Sequence, residues 1–290
     1  MKPSLTLSII IVSYNTKDLT LQCLSSIRKT TLDKKDFEVI VVDNASADGS
    51  AAAIKKAFSE VIVVSNTKNI GFSAGNNVAI RRAKGRYILL LNSDTEVKPE
   101  TFQTMLAFME KHPHIGVSTC RLVLANGFLD KASHRGFPTP WASFTYMIGL
   151  EKLFPKTRLF GQYHLGYKDM TVPHEIDCPS GAFFLVCREV IDQVGLLDED
   201  YFMYGEDIDW AYRIKEKGWE IWFNPYTSIL HIKKQSGRKH ADKTIFTHAN
   251  ASFYETMKLF YKKHYEEKYP WVVTRLVYLV LDLRIMTLCI

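Results

Sequence analysis

The sequence predicts an α/β fold, with a mainly parallel central sheet flanked by helices and a helical extension at the C-terminus. Three observations predict it. Short apolar, β-branched runs alternate with stretches of helical periodicity over the first 125 residues. The runs are apolar at successive positions, as strands covered on both faces require. Asn, Asp, Ser and Gly collect where the runs end, and parallel α/β sheets bind ligands beyond those ends.

The elements follow in order. Residues 7–12 form the first strand. Lys2 and this run look superficially like a secretory leader. Ser13-Tyr14-Asn15-Thr16-Lys17 stands where a small-residue cleavage site would be, so a buried strand is expected instead. Leu19, Cys23, Leu24 and Ile27 then recur at helical spacing. Residues 37–42 form the second strand, and Ser46 is placed to cap a helix running toward Phe58. Residues 61–64 and 87–91 form the third and fourth, separated by a short helix over 76–84 that Gly85 ends. Pro99 opens a helix carrying Phe102, Met105, Leu106 and Met109, and residues 115–123 are the fifth strand. Residues 126–175, rich in aromatics, Pro and Gly, read as a long irregular insertion. A strand over 182–186, a helix over 206–217, a strand over 219–223 and a long helix over 245–265 follow.

Composition narrows the function. A chain of 290 residues that is 47% hydrophobic and 23% charged is not disordered. Its five cysteines, Cys23, Cys120, Cys178, Cys187 and Cys289, lack zinc-site spacing and are expected reduced in a cytoplasmic protein. The net charge of +6 is unevenly placed. Residues 231–268 carry nine basic side chains against four acidic ones, while residues 1–230 have no net charge. A nucleic-acid binder would show its charge on the body, so no nucleic-acid partner is expected. The basic segment suits a phosphorylated ligand or anionic lipid.

Residues 271–290 are mostly apolar but contain Arg275, Asp282 and Arg284, which makes a poor membrane-spanning helix. Arg275 and Asp282 share one helix face, while Leu276, Leu279, Val280 and Leu283 line another. With Tyr265, Tyr269 and Trp271, this segment reads either as a peripheral anchor at a membrane surface or as a helix packed on the domain or in a homodimer.

The strand ends carry the chemistry. The first strand runs into Ser13-Tyr14-Asn15, the second into Asp43-Asn44, the fourth into Asn92-Ser93-Asp94, with Asn69-Ile70-Gly71 and Asn76-Asn77 between. Singly, each is ordinary turn and cap chemistry. Jointly they place polar groups on one sheet edge, as a nucleotide site needs. No glycine precedes Gly49, so the dinucleotide fingerprint is absent, as is the P-loop. An acid after strand two can hold a ribose or base, and an acid after strand four can hold Mg2+ or Mn2+ through oxygen. In the second half, Asp198 to Asp209 interleaves acids with Tyr201, Phe202 and Tyr204. Acids also suit a helix N-terminus by dipole alone, but a carboxylate among aromatics is partly desolvated and can serve as a base.

Together these motifs resemble the family 2 inverting glycosyltransferases, which have the nucleotide-sugar-binding GT-A fold. The markers are residues 10–15, Asp43-Asn44-Ala45-Ser46 with Asp48-Gly49-Ser50, Asn69-Ile70-Gly71-Phe72, Asn92-Ser93-Asp94, Pro179-Ser180-Gly181-Ala182, Tyr204-Gly205-Glu206-Asp207-Ile208-Asp209 and His231. The branch it is most similar to includes bacterial rhamnosyltransferases of cell-wall and surface-polysaccharide synthesis. The resemblance divides the chain into a GT-A domain over 1–240 (nucleotide-binding half 1–125, acceptor-binding half 126–240) and an extension over 241–290.

The resemblance also implies roles. Ser13, Tyr14, Asn15, Asp43, Asn44, Asn69, Gly71, Asn76, Asn92 and Ser93 would lie along the nucleotide sugar, a dTDP- or UDP-sugar. Asp94 would bind a divalent metal, Mg2+ or Mn2+, with His231 as a further contact. The family's acid-x-acid motif is Asn92-Ser93-Asp94 here, so its first acid is missing. Asp207 would be the catalytic base, with Glu206, Asp209, Ser180 and Gly181 supporting it or contacting a glycan or lipid-linked glycan acceptor. Arg238 or Lys239 would meet leaving-group charge. The competing readings are a nucleotidyltransferase, which would need a basic Gly-rich loop after strand one, and a non-catalytic nucleotide-sugar-binding module, which would not need Asp94, Asp207 and His231 together.

Overall fold

A computed structural model describes residues 5–232 and 243–288. Arg238 and Lys239 lie outside the described residues. The N-terminal half is built from strands β1 (Leu5–Ser13), β2 (Phe37–Asp43), β3 (Ile62–Ser65) and β4 (Gly85–Leu91), connected by helices α1 (Lys17–Ile27), α2 (Ser50–Ala57) and α3 (Phe72–Ile80). Next come β5 (Thr95–Glu96), α4 (Thr101–Lys111) and β6 (Ile115–Leu124). Residues 126–175, expected to be irregular, contain a 3-10 turn at Lys131–Ser133 and helices α5 (Pro140–Met147) and α6 (Leu150–Leu153). The chain continues through β7 (His174–Glu175), β8 (Phe183–Cys187), α7 (Arg188–Val194), α8 (Glu206–Glu216), β9 (Glu220–His231), α9 (Lys243–His264) and α10 (Trp271–Leu288).

One sheet joins both halves in the order β3-β2-β1-β4-β8-β6-β9-β5, with β7 on β9. The first four strands are parallel, as expected. Beyond β4 the sheet is mixed, because β8 runs antiparallel to both β4 and β6 while β9 runs parallel to β6. β8 arrives through the long excursion after β6, so no helical crossover holds it parallel to its neighbours. Alternate strand residues feed two cores. Ile10, Ile40 and Leu90 meet Phe184, Trp210 and Phe260 on one face. Ile9, Val41 and Leu89 meet Cys23, Ile54, Phe102 and Met105 on the other. Burial on both faces is why these strands read as continuous apolar runs.

Several boundaries differ from the sequence reading. Gly49, in a left-handed conformation, precedes α2, and Ser46 instead accepts the Asn15 N–H at 2.9 Å. Helix α3 starts at Phe72, not Asn76, and Gly85 opens β4 where a Cβ would lie 2.5 Å from the Ser8 nitrogen. The expected strand over 219–223 runs on to His231, through Pro225, by a register break between Cys120↔Asn224 and Arg121↔Ser228.

The C-terminal helices dock on the body. Phe260, Tyr261 and Tyr265 of α9 are buried, and Tyr269 stacks on Tyr261. Tyr265 and Tyr269 therefore contribute to packing of the C-terminal segment on the body. Helix α10 lies on α9 through Tyr261–Thr274 and Lys258–Asp282, yet Val272, Leu276, Leu279, Leu283 and Met286 are exposed. Among the described residues no helix is long and apolar enough to cross a membrane.

Candidate active site

The register sets Ser13 beside Asp43 and Asp43 beside Ser65, so β1, β2 and β3 end level with one another. Their loops interlock. The Asn15 side-chain oxygen accepts from Ala47 N at 2.8 Å. Asn44 donates to Gly71 O at 2.9 Å and accepts from Asn66 at 2.8 Å. Ser13, Thr16, Thr20 and Ser93 share hydroxyl contacts of 3.0–3.2 Å. Asn69 caps Gly71 N at 3.0 Å, and Asn76 donates to Phe72 O at 2.9 Å. Ser13, Asn15, Asn44, Asn69, Asn76 and Ser93 thus spend side-chain bonds building the loops. The side chains left open are Tyr14, about half exposed, and Asp43, whose buried Oδ1 has no partner while Oδ2 accepts from Ser46 N. Asn15, Ala45 and Tyr204 all hold left-handed backbone on this edge, where strain is common at functional sites.

Asn92, Ser93 and Asp94 follow β4. Asn92 N donates to Ala182 O at 3.2 Å, tying this turn to β8. The pairing of Thr95 with His231 brings the C-terminal end of β9 against Asp94. His231 Nε2 lies 3.4 Å from Asp94 Oδ1, and its Nδ1 lies 2.8 Å from Asp130 Oδ2. Burial opposes charge on this imidazole, but hydrogen bonds with Asp130 and Asp94 outweigh it and push the pKa up to about 9. Asp94 Oδ2 is buried with no partner. The orphaned Asp94 oxygen suits a divalent cation that prefers oxygen; His231 could join it only by giving up its Nε2 proton. Among the described residues no cluster of three or more ligating side chains is formed, so the rest of a metal's shell would come from diphosphate oxygens and water.

The loop before α8 folds over the strand-end edge. Phe202 O accepts from Phe72 N at 2.7 Å, and Ser73 Oγ donates to Tyr201 O at 2.6 Å. A Cβ on Gly71, which has φ +86°, would sit 2.5 Å from Phe202 O, so only glycine permits this approach. Gly181 packs against the Phe72 ring and donates to Asp207 Oδ2 at 3.4 Å. Ser180 turns inward to accept from Ala182 N. Asp207 also accepts from Arg135 Nη2 at 2.7 Å through Oδ2, and from Ile208 N at 2.8 Å through Oδ1. Glu206 is buried with Oε2 unpaired; burial, then the charge of Asp207, pushes its pKa up to about 8.

Asp209 departs from the sequence reading. It is 1% exposed, bound to Arg213 at 2.8 Å and to His264 at 2.7 Å. It latches α9 to α8 and has no oxygen left for an acceptor. Arg135 and Asp130 were missed. Both lie in the insertion, and only their tertiary partners, 72 and 101 residues away, reveal them.

A switch-point sheet edge with two open carboxylates, with a carboxylate-bearing helix N-terminus against it, is the architecture of the GT-A class of glycosyltransferase folds. The profile of Glycosyl transferase family 2 matches residues 8–195. The chain belongs to that family. The poly(ribitol-phosphate) beta-N-acetylglucosaminyltransferase TarS of Staphylococcus aureus is 24% identical, over 91% of this chain and 48% of its own length. The rhamnosyltransferase WbbL of Escherichia coli is 27% identical, over 84% of this chain and 90% of its own. The chain spans about half the length of the poly(ribitol-phosphate) relatives it matches. Two solved structures share the fold. S. aureus TarS 1–349 has a TM-score of 0.57 at 19% identity, covering 88% of this chain and 64% of its own. The mannosyltransferase PcManGT of Pyrobaculum calidifontis, in complex with GDP-Man and Mn2+, has 0.62 at 15%, covering 98% and 72%.

Proposed function

We propose that this protein transfers a sugar, with inversion, from a UDP- or dTDP-sugar to a hydroxyl of a glycan or lipid-linked glycan acceptor in bacterial cell-surface polysaccharide synthesis. The observation that carries the reading is that Asp43 and Asp94, after β2 and β4, each keep a buried open oxygen, while Asp207 bonds to Gly181, which packs on Phe72 at the start of α3. The alignment with WbbL makes rhamnosyl the first donor sugar to test.

Tyr14 stacks on the base and Asp43 Oδ1 accepts from it or from the ribose. Asp94 and His231 would hold a divalent cation, which when bound supplies Lewis-acid stabilisation of the leaving diphosphate. The acceptor O–H bond breaks and its proton passes to Asp207 Oδ1, the oxygen with a free lone pair. The acceptor oxygen then bonds to the anomeric carbon as the nucleoside diphosphate departs from the opposite face, so configuration inverts. Glu206, held neutral up to about pH 8 by burial and then by the charge of Asp207, does not compete for that proton. The exposed apolar stripe of α10, flanked by Arg275 and Arg284, sits at an anionic membrane surface where a lipid-linked acceptor would be met.

The test is incubation with UDP- and dTDP-sugars, with and without Mn2+ or Mg2+ and a detergent-solubilised lipid acceptor. Nucleoside diphosphate release is expected from at least one donor, and NMR of the product should show the opposite anomer. Retained anomeric configuration would contradict the direct displacement.

A further inference from the structure

The segment 130–135 carries no sequence motif, yet it touches both ends of the site. Asp130 holds His231, and Arg135 holds Asp207. Arg135 is itself held rigidly. Its main chain forms an antiparallel bridge with Cys178 through bonds of 3.2 and 3.0 Å. Its Nη2 donates to Pro179 O at 3.0 Å as well as to Asp207. The ion pair is nearly sealed, with side-chain exposures of 9% and 14%.

Glu206 and Asp207 are adjacent carboxyls in this enclosed place. Two neighbouring buried carboxylates cannot both ionise cheaply. The guanidinium donates a hydrogen bond to Asp207 and acts on Glu206 only as a nearby charge that favours its ionised form. The other titratable groups that feel the Arg135 charge are the Tyr163 phenol and the Cys178 thiol, both pushed upward by burial, and the His164 imidazole, pushed downward mainly by burial. Asp177, beside Cys178, is occupied by Lys215 at 3.0 Å. Asp207 is therefore the one carboxylate in contact with the guanidinium.

We propose that Arg135 is the positioning residue of this transferase: by gripping Oδ2 it aims Oδ1 of Asp207 at the acceptor and keeps the negative charge of the carboxyl pair on Asp207. The inference rests on the reading of Asp207 as the base. It has a signature that a merely structural arginine lacks. Without the guanidinium, the pair's single charge is shared with Glu206, so protonation should switch the enzyme off at a higher pH. Removing Glu206 as well should undo that shift.

The full-length chain is assayed as wild type, R135A, R135Q and R135A/E206Q, with UDP and dTDP binding as the folding control. R135A should lower kcat by about 10²-fold, the cost of a misplaced reacting group, with donor KM changed by less than about threefold. The acid limb of its kcat–pH profile should move to higher pH, and the added E206Q should move it back. Millimolar guanidinium should restore at least about tenfold of the lost kcat by refilling the site. Should R135A lose nucleotide binding, R135Q, whose amide can still reach Pro179 O, carries the same predictions for kcat and the acid limb. A loss carried in donor KM, or an unmoved acid limb, overturns the proposal. Failure of the base reading is distinguishable, because it would appear as transfer by D207N whatever the arginine variants do.

Discussion

Glu206 and Asp207 are consecutive residues at one helix N-terminus, yet Glu206 is buried with an unpaired oxygen while Asp207 is gripped by Arg135. Burial and the neighbouring Asp207 hold Glu206 neutral up to about pH 8. A carboxyl whose pKa is raised in the folded protein opposes folding wherever the unfolded chain would ionise it. The penalty is absent below its ordinary value near 4.5, grows as pH rises, and is complete above about 8. Glu206→Gln should therefore leave Tm unchanged near pH 4 and raise it progressively toward pH 8.5; parallel Tm curves for the two proteins would sink this assignment. Gly71 makes a second prediction. Gly71→Ala meets both the left-handed φ and Phe202 O, so it should cost about 1–3 kcal/mol in urea unfolding, and a neutral result would show that the loop can give way. Asp43, Asp94, Asp207 and His231 were legible because each ends or begins an element whose pattern is plain. Asp209 misled, since a carboxylate in the same motif is consumed by His264, 55 residues further on. Arg135 was invisible because nothing local distinguishes it from a surface arginine.

At the scale of elements, the strands were easier to read than the helix ends. Strands buried on both faces are long apolar runs, whereas the starts of α2 and α3 are set by Gly49 and Gly71 at positive φ, in place of the expected cap Ser46 and the expected helix start at Asn76. The latch of α9 on α8 through Asp209 and His264 is buried and paired. Asp209→Ala leaves Arg213 and His264 without their carboxylate and should destabilise by about 3–5 kcal/mol. Nucleotide affinity should be unchanged, because Asp209 touches none of the strand-end loops; a loss of UDP binding in a folded variant would contradict its placement as a latch. Helix α10 exposes Val272, Leu276, Leu279, Leu283 and Met286 at alternating spacings of four and three, one continuous stripe. Leu276→Glu with Leu283→Glu should abolish binding to anionic vesicles while leaving donor turnover intact. Unchanged vesicle binding, or loss of a dimer in place of it, would transfer the stripe to protein packing.

For the whole molecule, charge and topology divide the labour. The body without net charge holds the strand-end edge proposed as the active site, and the basic excess lies after His231, on α9 and its approaches. Some of that excess is already spent. Lys263 pairs with Asp198 and Asp200, and Lys268 with Glu216, so these lysines fasten α9 to the domain. The sheet tells a parallel story. Its N-terminal half was legible as alternating units, while the antiparallel insertion of β8 between β4 and β6 depends on long-range pairing that no local pattern encodes. That insertion carries Ser180 and Gly181 to the strand-end edge and lets the loop before α8 close over it. The central claim is that this closure delivers Asp207 as the base for sugar transfer. Asp207→Asn tests it most directly, with transfer and UDP or dTDP affinity measured on the same sample. The account predicts a fall in transfer of about 10²–10⁴-fold with nucleotide affinity unchanged, and transfer retained near the wild-type rate would contradict it.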